Sequence, residues 1–265
     1  MVSHLKDVFI YKELLINLAV KELKVKYKNS VLGFFWSLIN PIFTMLIFTI
    51  VFSMIFKFAE IEYFPIFLLA GLLPWNFFNA TVMGGTESII SNSSLVKKVY
   101  FPRELLPLSI SLANLVNFFL ELLVFLAFIG VIGIFSPQYL GVFKFLPLLL
   151  LLLPILYLFS VGFSFFISSI NVYYRDVQHI MGIFMMALFY MSPIIYPISL
   201  IPEKYSGIYY INPLASIILS FKNTLYWMEA PQLNWIAYSF LIAIIFFIAG
   251  YAIFLRLEPD FAEEL

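Results

Sequence analysis

The stretch INVYYRDVQHIM, residues 170–181, decides how the chain is folded. It lies between two long apolar runs, residues 144–169 and 182–197, and it carries the charged pair Arg175 and Asp176. An arginine at the centre of a bilayer costs roughly 2.5–3.5 kcal/mol even on a lenient insertion scale. We therefore expect this pair to lie in a tight turn at a membrane face, where it divides one apolar block into two spans.

The overall composition indicates a membrane protein. Of the 265 residues, 63% are hydrophobic, 20% are aromatic and only 11% are charged, whereas soluble domains contain about 25% charged residues. A formal net charge of zero gives no bulk attraction to nucleic acid, so no nucleic-acid partner is expected. The chain has no cysteine, which excludes disulfides and thiolate metal sites.

Six apolar segments are long enough to cross a bilayer as helices, since a crossing helix needs about 20 mostly apolar residues. They cover residues 35–56, 64–86, 105–130, 146–170, 178–197 and 235–255. With six spans, the side of the termini holds eleven basic residues: Lys6, Lys12, Lys21, Lys24, Lys26, Lys28, Lys97, Lys98, Arg103, Arg175 and Arg256. The other side holds four: Lys57, Lys144, Lys204 and Lys222. Because cytoplasmic loops carry the positive excess, both termini and the Arg175 turn are predicted to be cytoplasmic.

The predicted fold is an all-α membrane protein in which residues 1–34 precede a six-helix domain of residues 35–265. Lys21, Lys24 and Lys28 fall on one face of a predicted helix within residues 4–32, and apolar residues fall largely on the opposite face. An amphipathic helix of this kind lies in the headgroup plane of the membrane. Anchoring to anionic lipid and a role in ligand binding both remain open for it.

The cytoplasmic loop 87–104 is predicted to contain a short basic helix. Asn92, Ser93 and Ser94 are candidate N-cap residues, and Pro102 ends the segment. Its apolar side chains are costly to expose to water without a partner: Leu95, Val96, Val99, Tyr100 and Phe101. These residues favour a protein-docking element over a solvated turn.

The outer loop 198–234 is too apolar for a free loop, yet its apolar run at residues 214–221 is too short to span. Segments of this length are typically re-entrant or interfacial. We expect one or two short helices there, dipping into the outer leaflet and capping a pathway.

The sequence contains few candidates for catalytic or metal chemistry. It has no G-x-x-x-x-G-K-[ST] motif, so we do not expect it to hydrolyse nucleotide by a P-loop. The two histidines, His4 and His179, do not have metal-ligand spacing. Glu60 and Glu62 resemble an acid pair, but two carboxylates in an outer turn are more often solvent-facing charges.

Glu121 is the one acidic residue well inside a predicted span, and ionisable residues at such depth are candidates for function. A hydrogen bond within the bundle is the alternative interpretation. Tyr190 and Tyr196, near the outer end of the fifth span, offer flat faces and hydroxyls to a sugar polymer. We therefore consider these three residues as candidates for a substrate channel.

Five strings together indicate a family. They are YKNSVLGFFWSLINPIF (27–43), NSSLVKKVYFPRELLPLS (92–109), NVYYRDVQHI (171–180), MSPIIYP (191–197) and INPL (211–214). In their order and predicted topology, the chain resembles the membrane subunit of an ABC-2 type polysaccharide exporter. The resemblance spans nearly the whole chain.

The resemblance implies a homodimer in a bacterial inner membrane, two separate cytoplasmic ATPase subunits, and a lipid-linked O antigen, capsular glycan or teichoic acid as substrate. It implies no cofactor bound by this chain, because ATP and Mg²⁺ belong to the ATPase. It assigns contact with the ATPase to a coupling helix of Asn92, Ser93, Leu95, Val96, Lys97 and Lys98. It places the substrate entrance near Leu32 and Gly33, and gate helices within residues 198–234.

Two other functions remain open at this stage. An ion-coupled secondary transporter would use Glu121 and would need no ATPase. A membrane-embedded glycan-modifying enzyme would use acids on the outer side, namely Glu60, Glu62 or Glu203.

Overall fold

The protein is described by a computed structural model that covers residues 10–26, 28, 30, 35–51, 61–202, 204, 207, 209 and 211–265. The predicted entrance residues Leu32 and Gly33 lie outside the described residues, as do His4, Glu60 and Glu203.

Across the described ranges the chain forms helices, turns and bends, with no β-strand. In chain order the α-helices are α1 (Lys12–Lys26), α2 (Trp36–Thr49), α3 (Phe64–Ser91), α4 (Ser93–Lys98), α5 (Leu105–Phe135), α6 (Val142–Phe145), α7 (Leu149–Tyr173), α8 (Val177–Tyr190), α9 (Pro213–Lys222), α10 (Leu233–Leu257) and α11 (Phe261–Glu264). Short 3₁₀ segments cover Pro137–Gly141, Leu146–Leu148, Ile198–Leu200 and Glu258–Asp260, and a π-helical turn covers Asn223–Trp227. The prediction of an all-α membrane protein is confirmed.

Four helical segments of the described chain are long and apolar enough to cross a membrane: Phe64–Ser91, Leu105–Phe135, Pro137–Tyr173 and Leu233–Glu264. Two shorter apolar helices, Ile39–Thr49 and Val177–Tyr190, lie within the first and fifth predicted spans. The first predicted span, residues 35–56, extends into residues 52–60, which lie outside the described part of the chain.

The fifth predicted span differs from the structure at its end. Helix α8 stops at Tyr190, and residues 191–197 form turns and bends instead of continuing the helix to residue 197. Pro193 explains the early stop, because proline lacks the backbone N–H that a helix needs and disfavours helical geometry at the preceding Ser192. The chain therefore leaves the span two turns earlier than apolar character alone suggests.

Helix α3 is the central helix of the bundle, and it packs against α2, α5, α7, α8 and α9. Most of its side chains are buried, including Phe67, Phe78 and Val82. A helix that is apolar all round is expected in such a central position, because every face must meet another apolar surface. The elements around α3 are therefore positioned relative to one another through it.

Helices α7 and α10 pack closely because both carry glycine at their crossing. A Cβ atom on Gly250 would lie 2.0 Å from the carbonyl oxygen of Gly162, and a Cβ on Gly162 would lie 2.5 Å from the backbone of Phe247. Small residues at a crossing let two helix backbones approach within van der Waals contact in a membrane. This contact joins the last long helix to the core.

Several predicted cytoplasmic segments meet at one end of the bundle. Arg175 and Asp176 lie exposed between α7 and α8, as the sequence predicted for the turn. Next to this turn, the Gln178 amide donates to the Glu87 carboxylate at the end of α3. The hydroxyl of Tyr173 donates to the Leu257 carbonyl oxygen at the end of α10, at 3.3 Å.

Candidate substrate path and coupling surface

A polar cavity lies between α1, α2, α3 and α5, and its volume is about 220 Å³. Its polar lining consists of Lys26, Asn40, Thr44, Asn76, Asn79, Asn114, Asn117 and Glu121. Ala80, Pro41, Phe77 and Phe118 complete the wall. Side chains with amide, carboxylate and ammonium groups thus face one space inside an otherwise apolar bundle.

The polar side chains converge because of helical spacing. Asn114, Asn117 and Glu121 follow one another at three and four residues on α5, which places them on one face. Asn76 and Asn79 are three apart on α3, and Asn40 and Thr44 are four apart on α2. Three neighbouring helices therefore each turn a short polar stripe toward the same cavity.

Glu121 lies near the middle of α5. It is sixteen residues from Leu105 and fourteen from Phe135, or roughly 24 and 21 Å along the helix. The Asn76 amide, near the middle of α3, donates to the Glu121 carboxylate at 3.0 Å. The hydrogen bond that the sequence left open as an alternative is therefore present, and it joins two central helices at mid-depth.

Lys26, at the end of α1, is the basic residue nearest to this carboxylate in the described cavity. Shielding from solvent lowers the pKa of Lys26, and the Glu121 charge raises it in part. Lys26 reaches the cavity because α1 packs along α5 with Leu18 and Ala19 buried, instead of contacting only the membrane surface.

Adjoining cavities extend the polar one along α5. On the Glu22 side of Asn114, a groove of about 270 Å³ lies between Glu22, Gly84 and Ile110. On the other side of Glu121, the space narrows to about 10 Å³ and its walls become mostly apolar, with Leu69, Leu72, Leu73 and Val124. The cavities along α5 are therefore larger on the Glu22 side of Glu121 than beyond it.

The two tyrosine candidates lie elsewhere. The Tyr196 hydroxyl donates to the Tyr190 carbonyl oxygen at 2.6 Å and lies 3.0 Å from the Tyr209 hydroxyl. Tyr190 is exposed at the end of α8. Neither Tyr190 nor Tyr196 lines the described cavities around Glu121, so the structure does not bring the three channel candidates together.

A buried lysine joins α9 to the rest of the bundle. Lys222, at the end of α9, is only 1% exposed, and its ammonium donates to the carbonyl oxygens of Pro193 and Ile194 at 2.5 and 2.8 Å. The same ammonium lies 3.4 Å from the ring centroid of Phe67 on α3. Within residues 198–234, α9 is thus a short buried helix, and Asn212 caps its start by accepting from the Leu214 N–H.

The short helix α4 forms at the predicted place, and Asn92, one of the three N-cap candidates, precedes it. Asn92 occupies the N-cap position without capping the helix through its side chain. Its side-chain oxygen Oδ1 instead accepts from the Lys21 ammonium at 2.7 Å, and its side-chain amide Nδ2 donates to the Ser88 backbone carbonyl oxygen at 2.8 Å. Asn92 therefore links α1, α3 and α4 in place of the local cap that sequence predicted.

The surface of this segment divides into a buried and an exposed part. Val96 and Phe101 are each 4% exposed and pack inward with Leu18 and Phe261. The outward side consists of Lys97, Lys98, Val99 and Tyr100. Tyr100 is 93% exposed. Ser93 and Leu95 are partly exposed. Of the predicted partner-contacting residues, Val96 thus faces the bundle, while Lys97 and Lys98 face away.

Glu258 and Pro259, which follow α10, lie against residues 99–103. Arg103 donates through its side chain to the Glu258 carbonyl oxygen and through its backbone N–H to the Glu258 carboxylate, the latter at 3.0 Å. The groove between residues 99–103 and Glu258–Pro259 has a volume of about 360 Å³. A solvent-accessible apolar groove beside exposed lysines is the arrangement expected of a protein-docking surface.

The polar cavity was the main feature that sequence reasoning missed. Glu121 was identified, but the asparagines around it were not considered together. Polar residues recurring at three and four positions inside apolar spans were the available signal. The cavity wall also contains Trp36 and Ser30, which line an adjoining space of about 290 Å³.

Comparison with known proteins agrees with the resemblance stated from sequence. Residues 13–226 match the family described as ABC-2 type transporter. An O-antigen export system permease protein RfbA of Klebsiella pneumoniae is 36% identical over 253 residues, covering 96% of this chain and 95% of that protein. A protein of the same name from Myxococcus xanthus is 30% identical over the full length of both chains. The polysialic acid transport protein KpsM of Escherichia coli is 24% identical over 88% of this chain and 90% of its own.

Proposed function

The chain belongs to the ABC-2 type transporter family, and on this premise we propose that it is the permease of an ATP-driven exporter of a polyprenyl-diphosphate-linked polysaccharide, with O antigen as the substrate. The carrying observation is the near full-length match with O-antigen export permeases. The matched region includes the long helices and also the loop 87–104. The permease is expected to act as a homodimer with two cytoplasmic ATPase subunits.

The structure offers a physical route for coupling. Lys97, Lys98, Val99 and Tyr100 form the exposed surface that an ATPase would grip. Behind it, Val96 and Phe101 pack with residues of α1, α3, α5, α7 and α10 in one buried cluster. Close packing resists local deformation, so displacement of α4 is passed to the helices around it. The Lys21–Asn92 bond extends this link to α1.

The proposed transport cycle follows from this link. ATP binding closes the partner subunits, which alone hold ATP and Mg²⁺, and the closure displaces α4. The displacement moves the long helices and opens a pathway at the dimer interface. The lipid-linked glycan enters near Leu32 and Gly33 and leaves past the outer segment held by Lys222 and Asn212. Both termini lie in the cytoplasm in this arrangement.

Nothing in the structure or the comparisons favours the two alternative functions. Glu62 is the one acid of the enzyme hypothesis that lies within the described residues. It is exposed, and the Gln138 side-chain amide donates to its carboxylate at 3.4 Å. In the described part of the chain no group of three His, Cys, Asp or Glu residues could hold a metal ion. Glu121 lines a cavity in a chain whose relatives are export permeases, so an ion-coupled mechanism is not proposed.

Deletion and complementation in the source strain test the proposed function. Cells without the chain should lose surface polysaccharide and accumulate the lipid-linked polymer inside. The wild-type chain should restore the polymer to the surface only when the partner ATPase has an intact Walker lysine. Normal surface polysaccharide in the deletion strain, or restoration with the ATPase inactivated, would contradict the proposal.

A further inference from the structure

The cavity around Glu121 requires a polar occupant. It is lined by five asparagines, one threonine and one carboxylate from membrane helices, with Lys26 at its edge. Hydrocarbon chains cannot hydrogen-bond to such groups. A lipid tail therefore does not suit this space, whereas water or a polar ligand does.

The kinds of groups present select among polar ligands. An asparagine amide offers two donor hydrogens and an acceptor oxygen, whereas an ionised carboxylate only accepts. Sugar hydroxyls both donate and accept, so they match this mixture on every side. Lys26 and Glu121 have opposite formal charges in the same lining, so the cavity has no net formal charge. The lining therefore fits a neutral, hydroxyl-rich ligand.

The volume of the cavity and the apolar part of its wall also fit a sugar ring. Cavities of 300–1,000 Å³ hold drug-sized ligands, so about 220 Å³ is suited to a single ring. Phe77 and Phe118 form part of the wall, and Trp36 borders the adjoining space. Their flat faces are suited to the C–H face of a sugar ring, in the way that aromatic residues provide apolar contact beside polar groups.

We propose that Glu121, Asn76, Asn117 and Asn40 form a sugar-binding site within the membrane domain, which holds one residue of the passing glycan. This inference rests on the proposed export of polysaccharide and identifies where the chain recognises the polymer. Beyond Glu121, the space narrows to about 10 Å³ beside Leu69, Leu72 and Leu73. The site therefore lies on the wider, Lys26 side of this narrowing.

Direct binding to the purified chain in lipid nanodiscs tests the site. The probes are the oligosaccharide released by mild acid hydrolysis from the surface polysaccharide of the source strain, and inorganic pyrophosphate. Saturation-transfer difference NMR measures each dissociation constant. The oligosaccharide should bind saturably, and the double variant Glu121→Gln with Asn117→Leu should weaken its binding at least tenfold. Pyrophosphate should be insensitive to the same variant.

Matched controls keep the result independent of folding. Glu62→Gln and Asn234→Leu make the same chemical changes at exposed positions outside the cavity and should leave oligosaccharide binding unchanged. Thermal unfolding of every variant is recorded, and Glu121→Gln alone serves if the double variant does not fold. Unchanged oligosaccharide binding in the folded cavity variants, no saturable binding to the wild type, or a response of pyrophosphate alone would overturn the site. The proposed function would fail separately, through surface polysaccharide that does not depend on the chain.

Discussion

Lys222 shows how a single charged side chain organises the outer end of the bundle. Its ammonium joins two backbone carbonyl oxygens after α8 to α9, and it lies over the Phe67 ring. By sequence this lysine counted only as one of four basic residues on the outer side. Its burial was not predictable, because the turn that brings the Pro193 and Ile194 carbonyls to α9 depends on tertiary packing.

Replacing Lys222 with alanine should destabilise the chain by about 2–3 kcal/mol. The change removes two charge-assisted hydrogen bonds and a cation–π contact and leaves two buried carbonyl groups unpaired. A loss of this size lowers Tm by roughly 5–10 °C in a chain of this length, which thermal unfolding in detergent measures. Lys144→Ala, an exposed lysine of the same type, should shift Tm by little. Equal Tm values for the two variants would contradict the role of Lys222.

Residues of the cavity divide into those that sequence could identify and those that it could not. Glu121 stood out because a carboxylate inside a span is rare. The Asn76 amide bonded to it is 45 positions away in sequence, and pairing the two requires knowing that α3 and α5 are neighbours. Lys26 was assigned to a membrane-surface helix, and only the packing of α1 along α5 brings it to the cavity.

At the scale of elements, the crossing of α7 and α10 is a close helix contact that requires glycine. Apolar character predicted both helices. Helix α7 begins at Leu149, three residues after the predicted start at residue 146. Pro147 lies in the 3₁₀ segment that precedes the helix and accounts for that shift. The crossing itself was not predicted, because Gly162 and Gly250 are far apart in sequence.

Gly250→Leu should prevent close packing of α7 and α10. A side chain there begins 2.0 Å from a backbone oxygen, and a backbone contact cannot be relieved by rotamer change, so the cost exceeds the usual 1–3 kcal/mol of overpacking. The expected result is little monodisperse protein in size-exclusion chromatography. Gly130→Ala, where nothing lies within 4 Å of the added carbon, should be neutral or stabilising by up to about 1 kcal/mol. A well-folded Gly250→Leu variant would show that the helices do not need this contact.

The element α4 carries the prediction about the partner. Charge reversal of Lys97 and Lys98 together should reduce co-purification of the ATPase by at least about tenfold, because like charges brought together at an interface cost several kcal/mol. Affinity purification of the tagged chain from membranes, followed by quantification of the bound ATPase, measures the effect. Lys144→Glu changes an exposed lysine outside this segment and should leave the association intact. Loss of association in both cases, or in neither, would argue against docking at α4.

At the scale of the whole molecule, the loop 87–104, the Arg175 turn and the end of α10 meet at one end of the bundle, a grouping that the sequence predicted. Charge placement decided it, because a turn with Arg175 and Asp176 has no stable place inside a bilayer. The exposed positions of this pair between α7 and α8 agree with that reasoning. Which side of the membrane this end faces rests on the distribution of basic residues, and it remains a prediction.

Cysteine labelling tests the orientation in a chain that has no cysteine of its own. Tyr100→Cys, on the exposed part of the coupling surface, should react with a membrane-impermeant maleimide only after the membrane is permeabilised. Glu229→Cys, exposed beyond α9, should react in intact spheroplasts. The opposite labelling pattern would invert the topology and place α4 beyond the reach of a cytoplasmic ATPase.

Transport in a purified system tests the central claim most directly. The chain and its partner ATPase are reconstituted in proteoliposomes with the lipid-linked polysaccharide, and transfer of the glycan across the membrane is followed by its protection from an added glycan hydrolase. We predict protection that requires ATP and the ATPase and that a proton gradient alone does not produce. Transfer by the chain alone under a proton gradient, with no response to ATP, would contradict the account.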